Sequence, residues 1–467
     1  MLMQHFLQRL HFVGIGGAGM SAIAELLHLQ GLQVSGSDAA DSPTLRRLAA
    51  LGLRVHPTHD AAHLGAAQAL VCSSAIPADN PELQAAQARG LPVLARAQML
   101  AELMRGRLGV AVAGTHGKTT TTSLVASTLL ATGAEPGYAI GGELLQAGGP
   151  PLGGAALGRG PALVVEADES DASFLHLQPL LAVVTNIDED HMATYGHSRQ
   201  RLQQAFIDFI HRLPFYGRAI VCSDDPGVQA VLPQLQRPLL RYGLGAGAEL
   251  RAVDVQAGPG LQMRFVACQA GHPDLPVTLA LAGEHNVRNA LAAIAVARLL
   301  RQPEAPLQQA LARFGGAGRR LQPHGDLPCA SGGSYLLLDD YGHHPAELAA
   351  VLAAARGAWP GRRLLAVFQP HRYSRTRDCL ADFAAVLARF DTVLLTEVYA
   401  AGEAPLPGAD GAALAALVPG ARFVPALADL PAALQALVRA GDVVLTLGAG
   451  SIARLPGLLK QPEGAST

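Results

Sequence analysis

The stretch Leu108-Gly109-Val110-Ala111-Val112-Ala113-Gly114-Thr115-His116-Gly117-Lys118-Thr119-Thr120 decides how this chain reads. Its first six residues form a short apolar run of the kind a buried strand makes. Gly114 and Gly117 interrupt that run, and Thr121–Leu130 continues in helix-competent residues. Strand, glycine turn and helix together make a phosphate-binding loop. Backbone N–H groups at a helix N-terminus point at an anion, Lys118 adds positive charge, and the Thr119 hydroxyl can coordinate Mg²⁺. The spacing departs from the generic GxxxxGK[ST] pattern because position 112 is Val. Lys118 and Lys460 are the only lysines in the chain. A lysine retained where arginine supplies nearly all other permanent positive charge indicates a need for a compact ammonium.

Downstream, strand Leu163–Val165 runs into Glu166-Ala167-Asp168-Glu169-Ser170-Asp171. Carboxylates then collect at the C-terminal end of a strand, the edge at which open α/β sheets bind ligands. A Mg²⁺ ion bridging ATP phosphates needs one or two carboxylates, and Glu166 is the first candidate. Taken alone, such a cluster also describes a solvated acidic loop. Strand Leu181–Thr185 leads into Asn186-Ile187-Asp188-Glu189-Asp190-His191, where His191 is placed to bind metal or orient phosphate. A lone histidine is more often structural, so its neighbours carry that reading. Upstream, Gly14-Ile15-Gly16-Gly17-Ala18-Gly19 follows strand His11–Ile15 and opens a helix over Met20–Gln30, with Ser37-Asp38 about twenty residues on. That suits a dinucleotide, but the pyrophosphate of UDP would use the same helix end. Two nucleotide sites in one chain argue against a simple dehydrogenase.

Beyond these, Asp339-Asp340-Tyr341-Gly342-His343-His344-Pro345 ends one strand and Phe368-Gln369-Pro370-His371-Arg372-Tyr373-Ser374-Arg375-Thr376-Arg377 ends the next. Both are expected on one sheet edge. Arginine forks match carboxylate and phosphate oxygens, so Arg372 and Arg375 suit a substrate carboxylate or an anionic intermediate. The bland alternative is a solvated basic helix start, which the helix dipole disfavours.

Length and composition agree with several α/β domains. At roughly 150 residues per domain, 467 residues suggest about three. Half the residues are hydrophobic and only 4% aromatic, with 51 glycines and 31 prolines, which suits parallel strands and helices joined by tight turns. Short β-branched runs alternate with alanine- and leucine-rich helical stretches, so the fold class is α/β. The expected domains are 1–106, 107–321 and 322–467. Leu250–Ala282 reads as an antiparallel excursion, Gly315–Arg320 as a glycine hinge, and the tail after Leu459 as frayed. A net charge of −2 without long single-sign runs gives no nucleic-acid footprint. No apolar run approaches the roughly 18 residues of a membrane span, and the start of the sequence leaves no room for a signal peptide. Five widely spaced cysteines without a CxxC pair fit reduced thiols, so a cytoplasmic protein is expected.

As an ordered set, Gly14–Met20, Ser73–Ile76, Gly114–Thr122, Glu166–Pro179, Asp190–Met192, Leu213–Gly217, Gly318–Arg320, Asp339–Pro345 and Phe368–Arg377 resemble the muramyl ligase family over essentially the whole chain. The resemblance implies N- and C-terminal Rossmann-like domains around a central P-loop ATPase domain, with ATP and Mg²⁺ as cofactors. It implies L-alanine joined to the carboxylate of UDP-N-acetylmuramate through an acyl phosphate, in peptidoglycan precursor synthesis. By the same resemblance, Gly14, Gly16, Gly17, Ala18, Gly19, Met20, Ser37, Asp38, Ser73, Ser74 and Ala75 bind the UDP-sugar. ATP would be held by Gly114, Thr115, His116, Gly117, Lys118, Thr119 and Thr120, with His285, Asn286, Arg319 and Asp340. Tyr341, His343, Arg372 and Arg375 would lie near the amino acid, and Thr119, Glu166 and His191 would hold metal. Lys118, Glu166, His191, His343, Arg372 and Arg375 would be catalytic.

Two positions depart from the family pattern, Glu284 in place of a basic residue and Ser451 in place of Asn. A third departure is an absence. Sister ligases carry a lysine shortly after the motif histidine, carbamylated to help bind a second Mg²⁺, yet Met192–Phe215 contains none, and Gln203 and Gln204 stand where one would be sought. The alternatives are a ligase that attaches a recovered tripeptide to the same nucleotide sugar, a nucleotide-sensing protein without turnover, and a dehydrogenase. The Phe368–Arg377 motif, the intact Lys118, Thr119, Glu166 and His191, and the phosphate loop respectively argue against them.

Overall fold

In the computed structural model, residues 2–460 are described, and the expectation about the tail lies largely outside them. The protein is α/β with three domains, each built on its own sheet. The N-terminal sheet has five parallel strands in the order Arg54–His56, Gln33–Ser37, Arg9–Val13, Ala69–Cys72, Val93–Ala95. Strand order reverses at Arg9–Val13, so the loop beginning at Gly14 opens at a topological switch point, where such sheets leave a ligand crevice.

In the central sheet, strand Leu108–Ala113 lies between Ala162–Glu166 and Leu181–Val184, parallel to both. Three loops, starting at Gly114, Ala167 and Thr185, therefore emerge at one edge. Helix Ala18–Leu29 packs on strands Gly137–Gln146 and Gly153–Ala156 of this sheet. One apolar cluster consequently runs from Leu10 and Phe12 to Phe206 and Phe209, and the two domains form a single compact unit. The expected hinge is corrected in part: Phe314–Ala317 is an edge strand of the central sheet. Gly315 is there for close approach, since a Cβ on it would lie 2.5 Å from the Leu145 carbonyl, whereas Gly316 takes φ +98°. The chain passes into the second compact unit at Ala317.

The C-terminal sheet runs Gln322–Pro328, Ser334–Asp340, Val443–Leu447, Leu364–Phe368, Thr392–Leu395, Arg422–Phe423. Side chains along Leu364–Phe368 alternate between its faces: Leu364, Ala366 and Phe368 enter one core, Leu365 and Val367 the other. Ser334–Asp340 and Leu364–Phe368 do end on the same edge, but Val443–Leu447 runs between them, parallel to both. Its own loop at Gly448 thereby joins the set.

Candidate active site

The phosphate loop forms where its glycines are required. Gly114 has φ +137°, and a Cβ there would lie 2.0 Å from Thr185 Oγ1. Gly117, at φ +80°, precedes helix Lys118–Ala131, and its missing side chain leaves room for Asn289 Oδ1 at 3.0 Å. The loop is stapled to the neighbouring strand end. His116 N–H donates to Asn186 Oδ1 at 2.8 Å, while Asn186 Nδ2 and Thr185 Oγ1 donate to the His116 carbonyl at 2.9 and 2.6 Å. These bonds preorganise the backbone that would face an anion.

Lys118 Nζ donates to the carbonyls of Gly114 (2.8 Å) and Thr115 (3.2 Å) and to Glu169 Oε1 (3.0 Å). Burial pushes the ammonium toward neutrality, but Glu169, Asp168 and Glu166 outweigh it and raise its pKa. Beside it, Thr119 Oγ1 lies 3.1 Å from both oxygens of Glu166, and Gly141 N–H fixes Glu166 Oε2 at 2.9 Å. A hydroxyl and a carboxylate held together are hard oxygen donors of the kind Mg²⁺ takes, and the residues present fit that ion. His191 adopts φ +54° and sets Nε2 3.4 Å from Asp190 Oδ2.

At the N-terminal glycine loop, the N–H groups of Gly14 and Ile15 donate to the Ser37 carbonyl, and Gly16 N–H to Asp38 Oδ2 at 2.8 Å. Two expected contacts take other roles. The Ser37 side chain is enclosed and donates to Glu82 at 2.5 Å, and Met20, 2% exposed, is core. Both can reach a ligand only through their backbone. Ala18 opens its helix; its side chain lies outside the described residues. Ser73 bonds back to the Val13 carbonyl through its N–H, and Ser74 and Ala75 are exposed beyond it.

In the second compact unit, Arg319, at φ +60°, ion-pairs with buried Asp339 at 2.8 Å, donates to the Gly448 carbonyl at 2.6 Å and lies over the Tyr341 ring. Asp340 is buried and accepts from Gly342 and Leu321 N–H groups; burial pushes its carboxyl up to about 6. Aromatic contacts run Tyr341, His343, His371, Tyr399, at ring separations of 5.4, 5.8 and 5.5 Å. Burial, then His343, Arg375 and Arg372, depress the His371 pKa to about 3, so this imidazole is neutral. Arg375 is 8% exposed and hydrogen-bonds the His371 carbonyl, whereas exposed Arg372 caps the helix Tyr373–Asp378 at φ +71°. At the two departures, Gln369 bonds both Ser451 Oγ and Ile452 N–H, and Glu284 sits in the first turn of helix Glu284–Leu299, where its charge suits the dipole.

Three family models match consecutive stretches of the chain: the Mur ligase catalytic domain over 9–108, the Mur ligase middle domain over 112–297 and the Mur ligase glutamate ligase domain over 319–450. A UDP-N-acetylmuramate–L-alanine ligase of Methylibium petroleiphilum is 58% identical, covering 99% of this chain and 100% of that protein. The chain belongs to the Mur ligase family. An enzyme of the same name from Leptothrix cholodnii is 57% identical over 97% of this Mur ligase and 98% of its own length. The crystal structure of UDP-N-acetylmuramate-alanine ligase from Thermotoga maritima matches with a TM-score of 0.81 at 28% identity, covering 97% of this chain and 98% of that one. A murein peptide ligase from Psychrobacter arcticus shares the fold, with a TM-score of 0.72 at 23% identity, 97% of this chain and 99% of that one. Membership makes this Mur ligase an enzyme of ATP-dependent ligation in peptidoglycan synthesis. No helix among the described residues is long and apolar enough to cross a membrane.

Sequence reasoning missed several residues at these sites. Asn289 follows Asn286 by three positions and bonds it at 3.1 Å, a helical spacing that could have flagged it. His371 lies within Phe368–Arg377, one residue before Arg372 and four before Arg375. Arg96 and Glu169 gave less signal, because their partners are distant in sequence.

Proposed function

We propose that this Mur ligase joins L-alanine to the carboxylate of UDP-N-acetylmuramate at the expense of ATP, with ADP and phosphate as products. The observation that carries the substrates is identity of 54–58% over nearly the full chain to ligases of that name. Free carboxylate is a poor acyl donor because oxide is a poor leaving group. Attack of the carboxylate on the γ-phosphorus replaces that oxide with phosphate, and the amino group of L-alanine then displaces the phosphate.

Lys118, held at a helix N-terminus, offsets charge on the transferring phosphoryl. Thr119 and Glu166, with His191, would hold Mg²⁺, which supplies further charge neutralisation when bound. The Gly14–Gly19 loop takes the UDP pyrophosphate, with Asp38 and Ser73–Ala75 around it. His285, Asn286, Arg319 and Asp340 serve ATP, and Tyr341, His343, Arg372 and Arg375 the amino acid. Residues 1–106, 107–321 and 322–467 are the corresponding domains, working in the cytoplasm. The test is phosphate release with ATP, Mg²⁺ and UDP-N-acetylmuramate, scanning single amino acids against the tripeptide. Release with L-alanine supports the reading; release only with tripeptide replaces it with the recycling ligase.

A further inference from the structure

Glu169 has no part in the chemistry described so far, yet it is built into the centre of the phosphate loop. Its side chain is 2% exposed. Oε1 accepts a hydrogen bond from Lys118 Nζ at 3.0 Å, and Oε2 approaches the same nitrogen to 2.8 Å without hydrogen-bond geometry. The ammonium has three protons, directed at Gly114, Thr115 and Glu169. Its donors are therefore all committed, and a phosphate that binds Lys118 must displace one acceptor. The two carbonyls belong to the loop itself and move only with it, which leaves the carboxylate as the partner to be exchanged.

The charged and titratable groups around Glu169 are few. Lys118 faces it from the helix, Asp168 adjoins it and is paired with Arg96, and Glu166 ends the strand that leads into the loop. Tyr195 contributes its hydroxyl to the Glu169 backbone carbonyl at 2.5 Å. Once the ammonium turns to a phosphate, Glu169 keeps its burial and its acidic neighbours and gains a nearby anion.

We propose that Glu169 is the counter-ion of the resting phosphate loop, a positioning residue that holds Lys118 against Gly114 and Thr115 until ATP takes the ammonium over, whereupon its carboxylate accepts one proton from solvent. This rests on reading the loop as the ATP site. Even beside Lys118, burial holds the Glu169 carboxyl up at about 7. Losing the cation and gaining phosphate charge both raise it further. In mildly alkaline solution the resting carboxylate is mostly ionised and the ATP-bound one protonated, so ATP binding takes up protons.

The experiment is isothermal titration of the full-length protein with ATP and Mg²⁺ near pH 8, in two buffers of very different ionisation enthalpy. The wild type is expected to show uptake approaching about one proton per ATP. Glu169→Gln removes the uptake and binds ATP at least as tightly, because no counter-ion has to be displaced. A glutamate of merely structural importance would instead leave the uptake in place or weaken binding. The wild type alone gives a second readout, in which linkage lowers ATP affinity by up to about tenfold per pH unit above neutrality. ATP binding without buffer dependence, flat affinity across that range, or equal uptake in Glu169→Gln overturns the proposal. Failure of the wild type to bind ATP at all would overturn the ATP-site reading itself.

Discussion

The Arg96 guanidinium ion-pairs with Asp168 at 3.1 Å, and its Nη1 fills the space that a side chain on Gly19 would need. One arginine at the start of helix Arg96–Met104 thus touches the glycine loop of the N-terminal sheet and the acidic loop of the central one. Partly exposed ion pairs contribute at most about 1 kcal/mol to stability, so a purely structural Arg96 would be nearly silent. Arg96→Ala is expected to leave urea unfolding within about that margin. If the guanidinium beside Gly19 also reaches the nucleotide sugar, the same variant should raise KM for UDP-N-acetylmuramate about tenfold, the usual worth of one charge-assisted contact. Unchanged KM with reduced stability would show that the pair is only a brace.

Lys118→Ala should keep the fold, since the loop is held by Asn186 and Thr185, and lose about a hundredfold or more in turnover. Near-normal phosphate release in a variant with wild-type unfolding would remove Lys118 from the chemistry.

Gly114→Ala tests the loop from its backbone. The added methyl meets Thr185 Oγ1 at a forbidden distance and the residue must keep φ +137°. The expected loss exceeds about 1 kcal/mol, the usual gain of a compatible Gly→Ala change with its sign reversed and enlarged. Chemical denaturation reads it directly, and a neutral result would mean that the loop relaxes without cost.

Glu82 gives the fold an acid-sensitive anchor. Its buried carboxylate receives hydrogen bonds from Ser37, His11 and His59 and lies 3.2 Å from His63. Burial alone would raise its pKa, but the hydrogen bonds from His11, Ser37 and His59 outweigh it and hold the carboxyl at about 2. A carboxyl depressed in the folded state adds stability that is present above its unfolded value, near 4.5, and lost as pH falls toward about 2. The contribution is up to about 3 kcal/mol. Urea midpoints should fall across that window in the wild type, and the slope should be shallower in Glu82→Gln. Parallel slopes would assign the acid sensitivity elsewhere.

What the sequence disclosed and what it hid divide along physical lines. Strands Leu108–Ala113, Leu364–Phe368 and Val443–Leu447 fall where their apolar runs place them, because each is buried on both faces and bounded by glycine or a polar residue. The hairpin Gly137–Gln146 with Gly153–Ala156 left no such trace, its glycines interrupting any alternation. Phe314–Ala317 read as a hinge for the same reason, though Gly315 serves close strand packing. Thr119 and Glu166, which the structure brings together, could be picked out because one lies in the first turn after the glycine loop and the other ends a recognisable strand. Glu169 and Arg96 act through single long-range contacts, which no local period encodes.

The last prediction concerns the metal shell. The resemblance implies that sister ligases complete a second Mg²⁺ site with a carbamylated lysine shortly after the motif histidine. Here helix Arg199–His211 follows that histidine, and it carries Gln203 and Gln204 but no lysine. Gln204 is occupied with Asp208 at 2.8 Å, Lys118 is enclosed in the phosphate loop, and Lys460 lies 3.2 Å from His324 in the C-terminal domain. No lysine of this chain is therefore available for a carbamate at the expected place. Mg²⁺ normally retains several waters, so under the proposed reading Glu166, Thr119 and His191 with solvent would suffice for its shell. Ligation should then be indifferent to CO₂. The assay compares degassed, bicarbonate-free buffer at mildly acidic pH with the same buffer after bicarbonate is added. Equal rates are expected, and a reproducible several-fold recovery on addition would require a carbamate on a lysine that the structure places elsewhere.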